Sequence, residues 1–235
     1  MPDEASVGIV AIHEKRYRFA LPHCAGMDVL DAGCGVGYGS ALLASVAARV
    51  VGVDVSSDAI DYARTRYALP NVEFRVCDLL DLDLPAATFD VVCSFEAIEH
   101  LADRDAFLQH VTRTLRDGGV FCVSTPRVNR TNKRPNNPYH YVEYSRADFE
   151  ELLLRHFADV ELFGQRRPET RRHYVLRRLD VLGLRKHVAV VRKAGRLTTG
   201  TPPMQALTTD GIVIDKQAID KATEIVAVCR KPRRP

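Results

Sequence analysis

One stretch constrains this chain more than any other. An apolar run, Val29-Leu30-Asp31, passes directly into Ala-Gly33-Cys-Gly35-Val-Gly37-Tyr-Gly39 and then into an Ala- and Leu-rich segment, Tyr38–Ala48. Glycines at 33, 35 and 37 let the backbone turn tightly and come close to a ligand with no Cβ in the way. The helix that follows presents free backbone N–H groups at its first turn. By itself such a turn is compatible with a dinucleotide, with another nucleotide-like ligand, or with close packing alone.

The surrounding pattern fits a strand-turn-helix reading. Val50–Val55 is β-branched and strand-like, Asp58–Tyr67 helix-like behind a Ser56 or Ser57 cap, and Val72–Asp78 alternates as a strand. Phe89–Phe95 reads as a buried strand. Arg104–Arg116 reads as a helix with Phe107, Val111 and Leu115 on one face, stopped by Gly118-Gly119, and Val120–Thr125 as another buried strand. Strands alternating with helices over short links imply an α/β fold, a parallel sheet covered on both faces. After Pro126 comes a polar Asn- and Pro-rich loop through Tyr144. A capping box at Ser145-Arg-Ala-Asp148 then opens a helix to about His156, and strands follow at Asp159–Gly164 and Thr223–Arg230.

The 235 residues are 46% hydrophobic and 27% charged, which excludes a disordered or fibrous chain and fits a single domain over 1–235. The acidic start lacks an apolar leader core. The longest apolar stretch, Ala41–Val53, is broken by Arg49 and too short to span a bilayer. Six scattered cysteines without a C-x-x-C pair read as small buried hydrophobes in a reducing, cytoplasmic setting. Charge is uneven: residues 165–197 carry a net +9 against −6 for the remainder. Most of this basic segment reads as helical. It is expected to form part of an insertion, 165–222, between the last two strands. Three readings compete for it: a solvated surface, a lid attracting an anionic small-molecule acceptor, or a contact for nucleic acid or a membrane surface. With 7% aromatic residues, no Trp and no recognised RNA module, nucleic acid is the less favoured partner. Nothing in the sequence bears on oligomeric state.

Acidic residues narrow the ligand. Asp54 ends the second strand seventeen positions after Gly37, where a carboxylate can accept from a ribose diol. Asp78 ends the third, placed to meet an adenine edge. Asp31 precedes the glycines, beside the expected ligand. Pyrophosphate would be repelled there, whereas S-adenosylmethionine (SAM) carries an ammonium and a sulfonium and no phosphate. The acids therefore fit SAM better than NAD, and Ser40 stands where G-x-G-x-x-G would end in glycine. Strand four runs into Ser94-Phe95-Glu96-Ala-Ile-Glu99-His100-Leu101. One helical turn would place Glu96, Glu99 and His100 on one face, suited to a divalent cation or to a base with its orienting acid. Acids in a helix first turn are also favoured by the macrodipole alone.

Val29–Gly39, Asp54, Asp78, Phe89–Leu101 and Leu115–Pro126 together resemble the class I SAM-dependent methyltransferase family. The resemblance implies a Rossmann-like seven-stranded sheet of order 3-2-1-4-5-7-6 with the last strand antiparallel. It also implies that residues 1–26 form a cap helix whose Arg16 pairs with the SAM carboxylate, with Asp31 beside the donor's cationic end. Gly33 and Gly35 would meet the methionyl end, Asp54 with Val55 the ribose, and Asp78 with Leu79 the adenine; Ser94 completes the cofactor set. The Glu-x-x-Glu-His run is similar to metal-dependent 2′-O-methyltransferases of small-RNA 3′ ends and to ubiquinone-pathway O-methyltransferases. His140-Tyr-Val-Glu-Tyr144-Ser145-Arg146 matches the fourth-ligand segment of the RNA enzymes. That similarity implies Mg²⁺ or Mn²⁺ on Glu96, Glu99, His100 and His140, with His100, Glu99 and His140 as catalytic groups. The expected activity is methyl transfer to a hydroxyl of a small polyhydroxylated acceptor. N-methylation, RNA 2′-O-methylation, an NAD(P)-dependent oxidoreductase and a SAM-binding subunit without turnover are the alternatives.

Overall fold

The computed structural model describes residues 7–166, 208–217 and 219–233. In chain order the elements are α1 (Val7–Cys24), β1 (Asp28–Ala32), α2 (Tyr38–Ala44), β2 (Arg49–Asp54), α3 (Ser57–Arg66), β3 (Val72–Val76), β4 (Phe89–Phe95), α4 (Arg104–Thr114), β5 (Leu115–Pro126), α5 (Arg146–His156), β6 (Phe157–Arg166), β7 (Val213–Asp215) and β8 (Glu224–Pro232). Helix starts follow the side-chain caps: Ser56 accepts from the Ala59 N–H, Asp103 from Ala106 and Ser145 from Asp148.

The sheet runs β3-β2-β1-β4-β5-β8-β6-β7. Pairings from β3 to β5 are parallel, while β8 lies antiparallel between β5 and β6. The expected order is kept within it, but the sheet has eight strands and not seven. The additional one, β7, pairs antiparallel with β6 through Gly164–Arg166 and falls inside the stretch assigned to an insertion. Its short apolar run, Ile212–Ile214, is masked in sequence by polar neighbours, and it covers the edge that β6 would otherwise expose. Most of the basic segment lies outside the described residues, and so does its expected helical character.

A second difference lies at β5. Leu115, expected on the helical face of α4, already pairs with Phe89 as a strand residue. The register then shifts between Phe89 and Val91, and Gly118 takes φ +78°, so the glycines mark an irregular strand start and not a helix stop.

Strand residues alternate between two cores. Leu30, Ala32, Val92, Phe121, Val123 and Ala227 pack with Phe107, Val111, Phe149 and Leu153 of α4 and α5. Val29, Val91, Cys93, Cys122 and Val228 pack with Tyr17, Ala20, Cys24 and Leu43 of α1 and α2. All six cysteines are free thiols; five are buried and Cys77 is half-buried. No described helix is long and apolar enough to cross a membrane.

Tyr17 anchors α1. Its ring makes edge contacts with Tyr38 at 5.8 Å and Phe95 at 5.0 Å, and it lies where a Cβ on Gly39 would stand, 2.0 Å from the ring. Gln165 ties the same helix to β6 by donating Nε2–H to the Ile12 carbonyl at 2.9 Å. Gly39→Ala must therefore push Tyr17 aside, with an expected loss of about 1–3 kcal/mol from overpacking. Urea unfolding should show this as a lower midpoint at unchanged m-value.

Candidate functional site

At the carboxyl ends of β1, β2 and β4 two cavities meet, the usual ligand position in an open α/β sheet. The first, about 450 Å³, lies under α1 and is lined by Ile9, Val10, His13, Tyr17, Gly35, Tyr38 and Phe95 among others. The second, about 540 Å³, is lined by Val55, Asp78, Leu79, Ala97, His100, Leu101, Tyr139 and Tyr141. Gly33, Asp54 and Glu96 belong to both.

Each shared residue is fixed locally. Gly33 has φ +84°, and a Cβ there would come within 2.9 Å of the Ala97 methyl. Asp54 accepts from the backbone N–H of Gly35 at 2.8 Å and of Ser56 at 3.0 Å, clamping the glycine turn to the end of β2. Glu96 is a non-glycine residue at φ +56°, a conformation costing about 1–3 kcal/mol that surrounding contacts must hold. Its N–H donates to Ser124 O and Oγ, both at 3.2 Å, and its Oε1 accepts from Ser124 Oγ at 2.8 Å. Asp78 caps the turn Leu79–Asp81 by accepting from Leu80 N–H, with Leu79 buried behind it and Val55 exposed across the cavity.

Three further residues of the expected cofactor set are buried. Asp31 is fully buried, and its oxygens accept from the hydroxyls of Ser40 at 2.6 Å and Tyr17 at 3.1 Å. It supports the cleft from below, because strand alternation turns it onto the α1–α2 face. Burial pushes its pKa up to about 7, with the Asp54 charge adding to the rise. Ser94 is buried in β4 with no partner for its hydroxyl among the described residues, and it lines neither cavity. Arg16 is fully buried, 3.7 Å from Glu96 Oε2 and 3.4 Å from Gln165 Oε1, and it too lines neither cavity. His13, one helical turn earlier, is the titratable imidazole of α1 that reaches the cavity, beside Ile9, Val10 and Tyr17. Burial and the Arg16 charge hold its pKa down to about 4 against the raising effect of Glu96, so its ring is neutral near pH 7. The sequence contained a signal for it, since His13 precedes Arg16 and Tyr17 by about one turn, but helix rotation decides which of them faces the ligand.

Ligand atoms of Glu99, His100 and His140 lie within 4.8 Å of one another. Glu96 does not join them. No regular helix follows β4; the left-handed residue at Glu96 redirects the chain into a single turn, Ile98–His100, so the i, i+3, i+4 face expected for the three residues does not form. Glu99 is buried, accepts from Thr125 Oγ1 at 3.2 Å, and is held above the usual carboxylate range by burial and the nearby Glu96 charge. His100 Nδ1 lies 2.8 Å from the Tyr139 carbonyl, which can only accept, so the proton sits on Nδ1 and Nε2 keeps its lone pair. His140 Nδ1 meets Glu143 at 3.0 Å, and Nε2 meets the Asn137 amide at 2.8 Å. The carbonyl behind His100 is the usual support for a metal-ligating histidine, whereas His140 has both ring nitrogens engaged, so its Nε2 could ligate only on releasing the Asn137 amide. Carboxylate with two imidazoles suits a first-row divalent cation.

Fold and cleft thus define a Rossmann-like α/β domain with its cavities at the carboxyl ends of the strands. Residues 23–160 match the family described as a methyltransferase domain, and the chain belongs to that family. A probable S-adenosylmethionine-dependent methyltransferase of Mycolicibacterium smegmatis is 46% identical over 152 residues, 63% of this chain and 58% of that protein. A ubiquinone biosynthesis O-methyltransferase of Mesorhizobium japonicum is 38% identical over 110 residues, 46% of this chain and 43% of its own. The chain spans less than two thirds of either relative. The solved N-methyltransferase NodS of Bradyrhizobium japonicum, in complex with S-adenosyl-L-homocysteine, superposes with a TM-score of 0.63 at 15% identity. That alignment covers 98% of this chain and 90% of NodS, and it speaks for the fold alone.

Asp31 generates a pH prediction. Its folded pKa of about 7 lies above the ordinary 3.8, so the native state binds the extra proton. Its stabilising contribution is complete below about pH 4 and is lost as pH rises through 7, with a slope of at most ~1.4 kcal/mol per pH unit. Asp31→Asn should flatten the fall in stability of the ligand-free protein between pH 4 and 7, read by denaturant titration at each pH.

Proposed function

We propose that this domain transfers the methyl group of SAM to a hydroxyl of a small polyhydroxylated acceptor, with a divalent cation, Mg²⁺ or Mn²⁺, held by Glu99, His100 and His140. The observation that carries the reading is one cavity whose wall runs from Gly33, Asp54 and Asp78 to His100, behind which Glu99 and His140 lie within ligand distance although they line neither cavity. Among the described residues no Lys or Arg lines either cavity, while Asp54, Asp78 and Glu96 do. That charge pattern suits a cationic donor without phosphates and disfavours the pyrophosphate of NAD. The names of the curated relatives support the methyltransferase reading, and one of them names an O-methyltransferase.

In this reading Asp78 and Leu79 receive the adenine, Asp54 the ribose diol, and Gly33 with Gly35 the methionyl end beneath α1. Asp54 is already oriented by two backbone donors, and each carboxylate oxygen retains a lone pair for a ribose hydroxyl. A divalent cation bound at the cluster would supply a lowered hydroxyl pKa. The chain's own part is to place the acceptor oxygen and take its proton. His100 Nε2 can take that proton only where it does not ligate the cation; acting as base, it forms an imidazolium that the Tyr139 carbonyl stabilises through Nδ1–H. Tyr139 and Tyr141 form an exposed aromatic mouth to the same cavity.

Calorimetry should record binding of SAM and none of NAD. Turnover of a vicinal diol or catechol should fall on adding EDTA and return with Mn²⁺. His100→Ala should lower kcat by about 10²-fold or more with SAM affinity little changed. Full turnover in EDTA would remove the cation from the reading, and NAD binding in place of SAM would remove the reading itself.

A further inference from the structure

Glu96 stands apart from the acids around it. It lines both cavities, yet its carboxylate is excluded from the group formed by Glu99, His100 and His140. The left-handed backbone at this residue folds the side chain back toward β5 and α1, where Ser124 Oγ holds Oε1. Among the described residues Oε2 receives no hydrogen bond; its nearest cation, Arg16 Nη2, is 3.7 Å away. Arg16 is itself loosely satisfied, with its Nε unpartnered among the described residues although fully buried. The chain thus maintains a strained residue and an under-bonded buried guanidinium around one carboxylate at the junction of the cavities. A carboxylate whose second oxygen has an ion-pair partner at 3.7 Å but receives no hydrogen bond, carried on a fixed backbone, keeps lone pairs for an ammonium donor arriving from the cleft.

We infer that Glu96 binds the cationic methionyl end of the donor and is not a ligand of the divalent cation. This rests on the SAM reading above and gives its two neighbouring glutamates different tasks. Glu99 serves the cation cluster, whose imidazoles enter from the Tyr139–Tyr141 side. Glu96 serves the donor, on the side closed by α1 through Tyr17 and His13. Gly33 lines both cavities together with Glu96.

The test compares Glu96→Gln with the wild type, using three probes: S-adenosylhomocysteine, which carries the ammonium; 5′-methylthioadenosine, which lacks the amino-acid end; and Mn²⁺, followed by electron paramagnetic resonance. Expected are a roughly tenfold to hundredfold weaker affinity for S-adenosylhomocysteine, the scale of one charge-assisted hydrogen bond. Affinities for 5′-methylthioadenosine and for Mn²⁺ should stay within about twofold. Unchanged S-adenosylhomocysteine affinity, or loss of Mn²⁺ binding in the variant, overturns the assignment of Glu96 while leaving the donor reading in place. Failure of the wild type to bind S-adenosylhomocysteine removes both. Glu96→Gly provides the second variant. It removes the carboxylate and the strained side chain together and should show the same selective loss of S-adenosylhomocysteine affinity, with 5′-methylthioadenosine binding kept as the evidence that the variant is folded.

Discussion

The approach of the β1–α2 turn to its neighbours is the constraint on which the rest of the structure depends. Gly33 can adopt φ +84° and leave Ala97 room only because it has no side chain, and the turn is then locked to β2 by the hydrogen bond from Gly35 N–H to Asp54. That single bond joins the backbone that would touch a ligand to the carboxylate that would orient it. Because β1 sits at the centre of the sheet between β2 and β4, fixing the turn also fixes the distance to the chain leaving β4, where Glu96, Glu99 and His100 lie.

Beneath the cleft is a layer of buried polar groups that couples four elements. Tyr17 and Ser40 bring α1 and α2 onto Asp31 of β1, and Arg16 joins α1 to Glu96 after β4 and to Gln165 on β6. Buried groups of this kind are costly unless partnered, and here the partners come from different elements, so the network holds only when α1 is seated. The helix is therefore a wall of the first cavity as well as a packing element. Its sequence places His13, Tyr17 and Ile9 toward the cavity and Arg16 behind it.

Much of this was legible in the sequence. Strand and helix alternation, the glycine turn, the Ser56 and Ser145 caps and the strand-terminal acids Asp54 and Asp78 are local signals, and each survives folding because it depends on neighbours in the chain. What was misread depends on rotation and register. Leu115 fits the α4 periodicity but begins β5, because pairing with Phe89 outweighs one more helical residue. Asp31, Arg16 and Ser94 could be placed in the sequence, but their burial could not be read from it. The strand β7 was invisible because three residues carry too little periodicity to distinguish from a loop.

The sequence by itself determined the class of fold and the end of the sheet where chemistry could occur, since hydrophobic period and glycine placement act over a few residues. Where each carboxylate after β4 points was decided only in three dimensions. Glu96 and Glu99 are three residues apart and would coincide on a helix. A left-handed residue after β4, held by Ser124 from the adjacent strand, sends one toward α1 and the other toward His140. That backbone conformation is unfavourable locally, so it can be stabilised only by contacts between elements distant in the chain, and no local pattern encodes it.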